Sequence, residues 1–259
     1  MHTKYKGQIK DRAISSKMLR NRLNLNKKIS SKDLHSWQFS RMEFNKGENI
    51  LDLGCGTGKQ SLKISSIVGK QGKVCAIDLS KESIQKLRKD TKIKNIISLA
   101  DSIDNIGNIL PKVKLNYDKI ISTYAIYYSA NPIKVLQLSS DFLKENGKFY
   151  ITVPTTPHGM VNFASKYSKI PKNVIESINV GNKILIPFFK KNFKKVKIYK
   201  FNNIIGFNNF NDFYSLYKST TYFNSRSKNK MKSDFEKIIK KNKTVKFEKK
   251  ALLIEATKK

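Results

Sequence analysis

Acidic residues are scarce: 19 Asp and Glu stand against 52 Lys and Arg, giving a formal net charge of +33. Cysteine is scarcer still. Cys55 and Cys75 are the only two in 259 residues, which excludes a disulfide framework and a cysteine-built metal site and suits a reducing compartment. No metal site is expected. There are three histidines, one tryptophan and six prolines. No apolar run reaches the length of a membrane span, and the opening "MHTKYKGQIKDRAISSK" contains no apolar secretory segment. The expectation is a cytoplasmic protein. Neither an internal repeat nor a Pro- or Ser-rich linker is visible, so one domain over 1–259 is expected.

The charge excess has two readings. It could serve a polyanion. It could also be compositional, because Lys, Asn and Ile share AT-rich codons and all three are abundant. Lys far outnumbers Arg, whereas planar recognition of phosphate favours Arg. The compositional reading comes first. The excess is concentrated before Lys46 and after Lys183, and weak attraction of an anionic small molecule survives either reading.

From Asn49 to Pro154 short apolar runs alternate with helical patterns. The strands are "NILDL", "KVCAIDL", "IISLAD", "YDKIISTYA" and "GKFYITVP". Between them, "KQSLKISSIV" presents Leu62, Ile64, Ile67 and Val68 inward and closes on Gly69. "SKESIQKLRKDTKI" has Ser80 as its N-cap. "PIKVLQLSSDFLKENG" begins at Asn131-Pro132 and is expected to stop at Gly147. Such alternation predicts a doubly wound, mostly parallel sheet with helices on both faces. Upstream, residues 1–46 form an N-terminal helical extension in which "SSKDLHSWQFSRMEF" puts Leu34, Trp37, Arg41 and Phe44 near one face. Downstream, residues 155–259 supply substrate-side helices and edge strands. These comprise "GNKILIPFFKKNF", a helix interrupted at Pro187; the strand "KKVKIYKFNNIIGF"; the helical stretch "NNFNDFYSLYKSTTYF"; a lysine-rich helix at 231–241; and "TVKFEKKALLIEATK", a strand with a turn or bulge near Lys249. The two late strands lack a parallel crossover. They predict a seven-stranded sheet with an antiparallel edge strand and a helical insertion before the last strand.

Within the core segment, 47–154, the loop "NILDLGCGTGKQ" carries Gly54, Gly56 and Gly58. The dinucleotide fingerprint would need a glycine where Lys59 stands, and a phosphate-binding P-loop is absent. Asp52, two residues before the first glycine, suits a ligand bearing an amine better than one bearing pyrophosphate. Asp78 ends the second strand about twenty residues on, where an acid accepts from ribose hydroxyls in doubly wound folds. Asp101-Ser102 ends the third strand, where a carboxylate can accept from an adenine amino group. Each acid could equally be a helix cap. Taken in order with the loop, the trio points to one crevice.

The successive motifs "ILDLGCGTG", "VCAIDLS", "LADS" and "YDKIISTYAIYY" resemble those of class I S-adenosylmethionine-dependent methyltransferases, of the small-molecule type, over at least Asn49 to Pro154. The resemblance implies a Rossmann-like methyltransferase fold with S-adenosyl-L-methionine as cofactor. Asp52 and the backbone of Gly54, Cys55, Gly56 and Gly58 would hold the methionine part. Asp78, with Leu79 beside it, would hold the ribose, and Asp101 and Ser102 the adenine. Ser122 and Thr123 would lie beneath the sulfonium, and Trp37 or nearby residues of the N-terminal segment would close over the cofactor.

Methyl transfer from a sulfonium is an in-line displacement in which the protein aligns the acceptor and excludes water. A hydroxyl acceptor gains from a general base; an amine must merely arrive unprotonated. Candidate substrate contacts are Tyr124, Tyr127, Tyr128 and His158, and His158 is also the candidate base. The tyrosines could instead be core residues, Tyr127 and Tyr128 cannot both face the crevice if the stretch is extended, and His158 could be a loop or surface residue. The first reading is a methyltransferase acting on a metabolite or carbohydrate-type acceptor, an anionic one being compatible with the charge. The alternatives are a nucleic-acid methyltransferase and a non-catalytic binder of the cofactor. Against nucleic acid, "STYA" stands where base-amine enzymes carry [DN]-P-P-[FYW], and neither cysteine is placed as a pyrimidine nucleophile. A nicotinamide dehydrogenase comes last because the glycine spacing disagrees. Oligomeric state and acceptor identity are not legible.

Overall fold

The structure is a computed structural model and describes residues 21, 24–25, 29–91 and 94–259. The helical character expected of 1–20, and the expected helix end at 92–93, lie outside the described residues. The chain forms two compact units. The larger comprises the described residues of 38–153, 180–200 and 252–259, and the smaller those of 1–37, 154–179 and 201–251.

The sheet has seven strands in the order β3-β2-β1-β4-β5-β7-β6. Their ranges are β1 Asn49–Leu53, β2 Lys73–Asp78, β3 Ile96–Ala100, β4 Tyr117–Thr123, β5 Leu143–Thr155, β6 Lys195–Phe207 and β7 Val245–Thr257. The pairings β1 with β2, β1 with β4, β2 with β3 and β4 with β5 are parallel. At the other end, Lys194 N–H donates to Thr257 C=O and Lys258 N–H to Gly147 C=O. The end of β7 therefore meets the starts of β6 and β5, and β7 runs against both. This is the doubly wound, mostly parallel sheet with an antiparallel edge expected from the alternation.

In the larger unit β1 and β2 are buried on both faces, which is why they read as unbroken apolar runs. Helix α1 is Leu34–Phe39, of which only the last two residues belong to this unit; α2 is Lys59–Val68, α3 Lys81–Asp90, α4 Ile106–Val113 and α5 Pro132–Ser140. Ser80 Oγ caps α3 by accepting from Ser83 N–H, and Ile84 and Leu87 are its buried face. Asn131 Oδ1 accepts from Lys134 N–H at the start of α5, with Pro132 in the first turn. Two expected helices are shorter than their patterns. Asp33 caps α1 by accepting from Ser36, but α1 stops at Phe39, so Arg41 and Phe44 do not continue its face. Helix α5 stops at Ser140 rather than Gly147. Phe142 C=O is recruited by Tyr117 N–H, Leu143 pairs with Tyr117 in the sheet, and Asn146, at φ 59°, lies in the bulge between that pair and Lys119–Lys148. Burial of Leu143 in the core outweighs local helical preference. A π-helical turn at Gly181–Leu185 precedes helix α8, Ile186–Asn192. Pro187 lacks the N–H for an ordinary turn, and the widened turn accommodates it. The core gathers Leu51, Ile77, Ile120, Phe149, Phe189 and Ile254.

The smaller unit contains α6 Gly159–Ser165, α7 Lys172–Val180 (except its last residue), α9 Phe210–Lys218 and α10 Lys228–Asn242. Helices α6 and α7 were not expected from the sequence. Phe163, Phe207, Phe213, Phe235 and Phe247 form its aromatic core, with Phe163 and Phe213 meeting edge-on at 5.5 Å. Strand β7 has no turn near Lys249; it is continuous for 13 residues. Its burial alternates through Val245–Glu248 and is unbroken from Ala251 to Thr257. The apparent break in "KFEKKALL" is this change from one buried face to two.

Candidate functional site

The glycine loop follows β1 directly. Gly54, Gly56 and Gly58 have φ of 75°, 56° and 79°, the left-handed region that a side chain resists. A Cβ on Gly54 would lie 2.2 Å from Ala125 Cβ, and one on Gly58 2.2 Å from Leu87 Cδ1. The glycines thus let the loop fold tightly against its own neighbours. Gly54 and Cys55 N–H donate to Ile77 C=O, tying the loop to β2. Helix α2 starts as Leu62 N–H reaches Gly58 C=O.

Three acids stand at the carboxyl ends of adjacent strands. Asp52 pairs with Ala76 of β2 and Ile121 of β4. It is buried, and Ser61 Oγ donates to its Oδ2 at 2.6 Å. Burial pushes the Asp52 carboxyl up to about 7; the Ser61 hydrogen bond opposes this and the Asp78 charge adds to it. Asp78 is half-buried and accepts twice from backbone, from Gly56 N–H at 2.7 Å and Ser80 N–H at 2.8 Å. Burial raises its carboxyl too, opposed by those two bonds. Asp101 N–H donates to Asp78 C=O, and Asp101 Oδ1 accepts from Ser102 N–H and Asn105 Nδ2. Ser102 Oγ caps the short turn that follows. Leu79 is exposed beside Asp78.

At the end of β4, Ser122 is buried and donates to Leu53 C=O at 2.9 Å, so its hydroxyl ties β4 to β1. Thr123 is half-buried. Tyr124 has φ 55°, and its N–H donates to Thr152 C=O. Burial drives its phenol upward, so the hydroxyl stays protonated and is a donor rather than a base. Tyr127 and Tyr128 share a single 3₁₀ turn with ring centroids 4.6 Å apart; Tyr127 packs partly on the core and Tyr128 is exposed. Burial also raises both thiols, Cys75 to about 11, which leaves neither Cys55 nor Cys75 as a thiolate nucleophile.

Four residues of this region carried no expectation. Gln38, fully buried, donates from Nε2 to Thr123 Oγ1 at 3.1 Å and Thr152 Oγ1 at 2.5 Å, and its Oε1 accepts from Gln60 Nε2 at 3.3 Å. Ser61, next to Gln60, holds Asp52. A signal existed for Ser61, because it shares the inward spacing of Ile64, Ser65 and Val68 on α2. For Gln38 and Thr152 there was none.

Trp37 and His158 belong to the smaller unit. The Trp37 ring lies 5.0 Å from that of Phe201. His158 precedes α6, and its Nδ1 is buried with no hydrogen-bond partner among the described residues. Burial, with Lys249 adding, lowers its imidazole to about 4. Among the described residues no cluster of His, Cys, Asp and Glu could hold a metal, and no helix is long and apolar enough to cross a membrane.

Known proteins resemble this chain over the same region. A methyltransferase-domain family profile matches residues 44–249. A demethylmenaquinone methyltransferase of Oceanobacillus iheyensis is 28% identical over 151 residues, 56% of this chain and 61% of that protein. The aklanonic acid methyltransferase DauC of Streptomyces sp. is 27% identical over 120 residues, 45% of this chain and 53% of that one. The chain thus spans about three fifths or less of the length of these curated relatives. Among solved structures, the YcgJ protein of Bacillus subtilis superposes with a TM-score of 0.60 at 15% identity, covering 86% of this chain and 97% of that one. That likeness is one of fold.

Proposed function

The chain belongs to the methyltransferase-domain family, and from that premise we propose that it transfers a methyl group from S-adenosyl-L-methionine to a small-molecule acceptor by in-line displacement. The observation that carries the reading is the arrangement of Asp52, Asp78 and Asp101 at the ends of three adjacent strands around a left-handed glycine loop. Relatives named for a quinone precursor and an aklanonic acid substrate support a small acceptor. In this reading the Asp52 carboxylate takes the methionine ammonium. Asp78 uses the lone pairs left over from Gly56 and Ser80 for the ribose hydroxyls, with Leu79 against the adenosine. Asp101 and Ser102 face the adenine. Thr123 lies at the sulfonium end, where bound cofactor supplies an already activated methyl. Tyr124, Tyr127 and Tyr128 line the acceptor side. The protein's own work is alignment and exclusion of water.

The test is incubation of the full chain with methyl-labelled S-adenosylmethionine and fractionated cell extract, with and without nuclease. Label entering small metabolites is the expected result. Label confined to nuclease-sensitive polymer would reject the small-molecule acceptor, and cofactor binding without any transfer would reject the enzyme.

Asp78→Ala removes the acceptor of Gly56 N–H together with the proposed ribose contact. Hydrogen bonds to a charged group are worth about 1.5 to 3 kcal/mol, so cofactor affinity should fall by roughly ten- to a hundredfold. Titration calorimetry on a folded variant checks this; unchanged affinity would remove Asp78 from the site.

His158 is proposed as the base for a hydroxyl acceptor, and its imidazole near 4 sets the terms. It is neutral at pH 7 and can accept a proton, but weakly, since general-base catalysis is most efficient when the base titrates near the working pH. If His158 is the base, the turnover profile should show no inflection near pH 6.5 and a fall only toward pH 4. His158→Ala should lower turnover by at most about 10². Unchanged turnover in the variant would leave catalysis to alignment alone.

A further inference from the structure

Gln38 is a long amide placed where an apolar side chain would fill the same space without the cost of burying polar atoms. Its amide reaches three elements of the larger unit. Both Nε2 hydrogens are used, on Thr123 Oγ1 at the end of β4 and on Thr152 Oγ1 of the neighbouring β5. Its Oε1 accepts from Gln60, the second residue of α2. Gln60 is 7% exposed, and the adjacent Ser61 is fully buried on the Asp52 carboxyl. A continuous hydrogen-bonded path therefore runs from the ends of β4 and β5 through Gln38 to the first turn of α2, and so to Asp52. Neither Asp78 nor Asp101 belongs to it; their partners are Gly56, Ser80, Ser102 and Asn105.

We propose that Gln38 is a positioning residue for the amino-acid end of the cofactor: it braces the first turn of α2 against the ends of β4 and β5, and thereby fixes Ser61 and Asp52. The proposal rests on the reading of this site as one for S-adenosylmethionine. Its consequence is selective. Without the Gln38 amide, the buried Gln60 and Thr152 and the half-buried Thr123 each lose a partner. The α2 turn then shifts or admits water, because such groups are not left unpaired. The adenosine end keeps its own anchors.

The test compares three probes by titration calorimetry on the full-length wild type and Gln38→Met, which keeps length and volume but cannot hydrogen-bond in the same way. The probes are S-adenosylmethionine, S-adenosylhomocysteine and 5′-methylthioadenosine, the last of which lacks the amino-acid part. The expected result is about tenfold weaker binding of the first two with methylthioadenosine unchanged, and a thermal transition showing that the variant is folded. Gln60→Met cuts the same path at its far end and should give the same split; it decides the matter if Gln38→Met does not fold. Equal weakening of all three probes would mean a merely structural role and overturn the proposal. So would unchanged affinity for S-adenosylmethionine. Failure of the wild type itself to bind S-adenosylmethionine would instead overturn the reading of the site, and this proposal with it.

Discussion

Replacing Asp52 with Asn should make the ligand-free protein more stable and the cofactor complex weaker. Asp52 is buried in the larger unit, and its carboxyl lies near 7 against an ordinary 3.8. The folded protein thus holds this proton more tightly than the unfolded chain does. The associated stability is fully present below about pH 4 and is lost as pH rises to about 7. Keeping the group ionised above pH 7 costs the fold about 4 kcal/mol. Asparagine carries no charge and can still accept from Ser61. At pH 8 the variant should therefore melt on the order of 10 °C higher than wild type, and the gap should close toward pH 4. Binding should move the other way. If the carboxylate takes the methionine ammonium, wild-type affinity should fall as pH drops below about 7 and Asp52 protonates. The Asn variant should bind about tenfold or more weakly at pH 8 and lack that dependence. Melting curves with and without S-adenosylmethionine across pH 5–8 measure both effects. A variant that is no more stable than wild type at pH 8, or one that binds cofactor equally well, would contradict this account of Asp52.

Gly54→Ala should damage both the stability of the fold and the loop. Its φ of 75° disfavours any L side chain, at about 1–2 kcal/mol. The new methyl would stand 2.2 Å from Ala125 Cβ, well inside contact distance. Overpacking of this kind costs about 1–3 kcal/mol. Denaturant unfolding should show a loss of about 3 kcal/mol. Since relief requires the loop to move away from the end of β4, cofactor affinity should drop by about a hundredfold or more. Adding Ala125→Gly removes the clash but not the backbone strain, so the double variant should recover part of the stability and no more. Full recovery would place the whole effect in the clash, and no loss in Gly54→Ala would mean the loop has room that these distances deny it.

The two changes act on the same few residues for different reasons, and both reasons were only half visible in the chain. The acid at position 52 and the glycine at 54 stand out by type and spacing. That Asp52 is buried between β2 and β4, and that Gly54 faces Ala125, depends on segments far apart in sequence.

What the sequence by itself determined is whatever repeats locally or sits at the end of a repeat. Buried parallel strands must be apolar throughout, so β1, β2 and β4 announced themselves, and the residues that end them fell at the carboxyl edge of the sheet. Ser80 and Asn131-Pro132 marked helix starts because capping is a local bond. Tertiary structure decided the rest. It ended α5 at Ser140, because Leu143 is worth more in the core than in another helical turn. It kept β7 continuous through Lys249, because β7 is an inner strand of the sheet between β5 and β6, which the run "EKK" does not suggest. It also brought Gln38 to Thr123, Thr152 and Gln60, at separations of 85, 114 and 22 residues. No periodicity encodes such a meeting. A buried amide is chosen by the partners that surround it, and those are assembled only when the strands and helices pack.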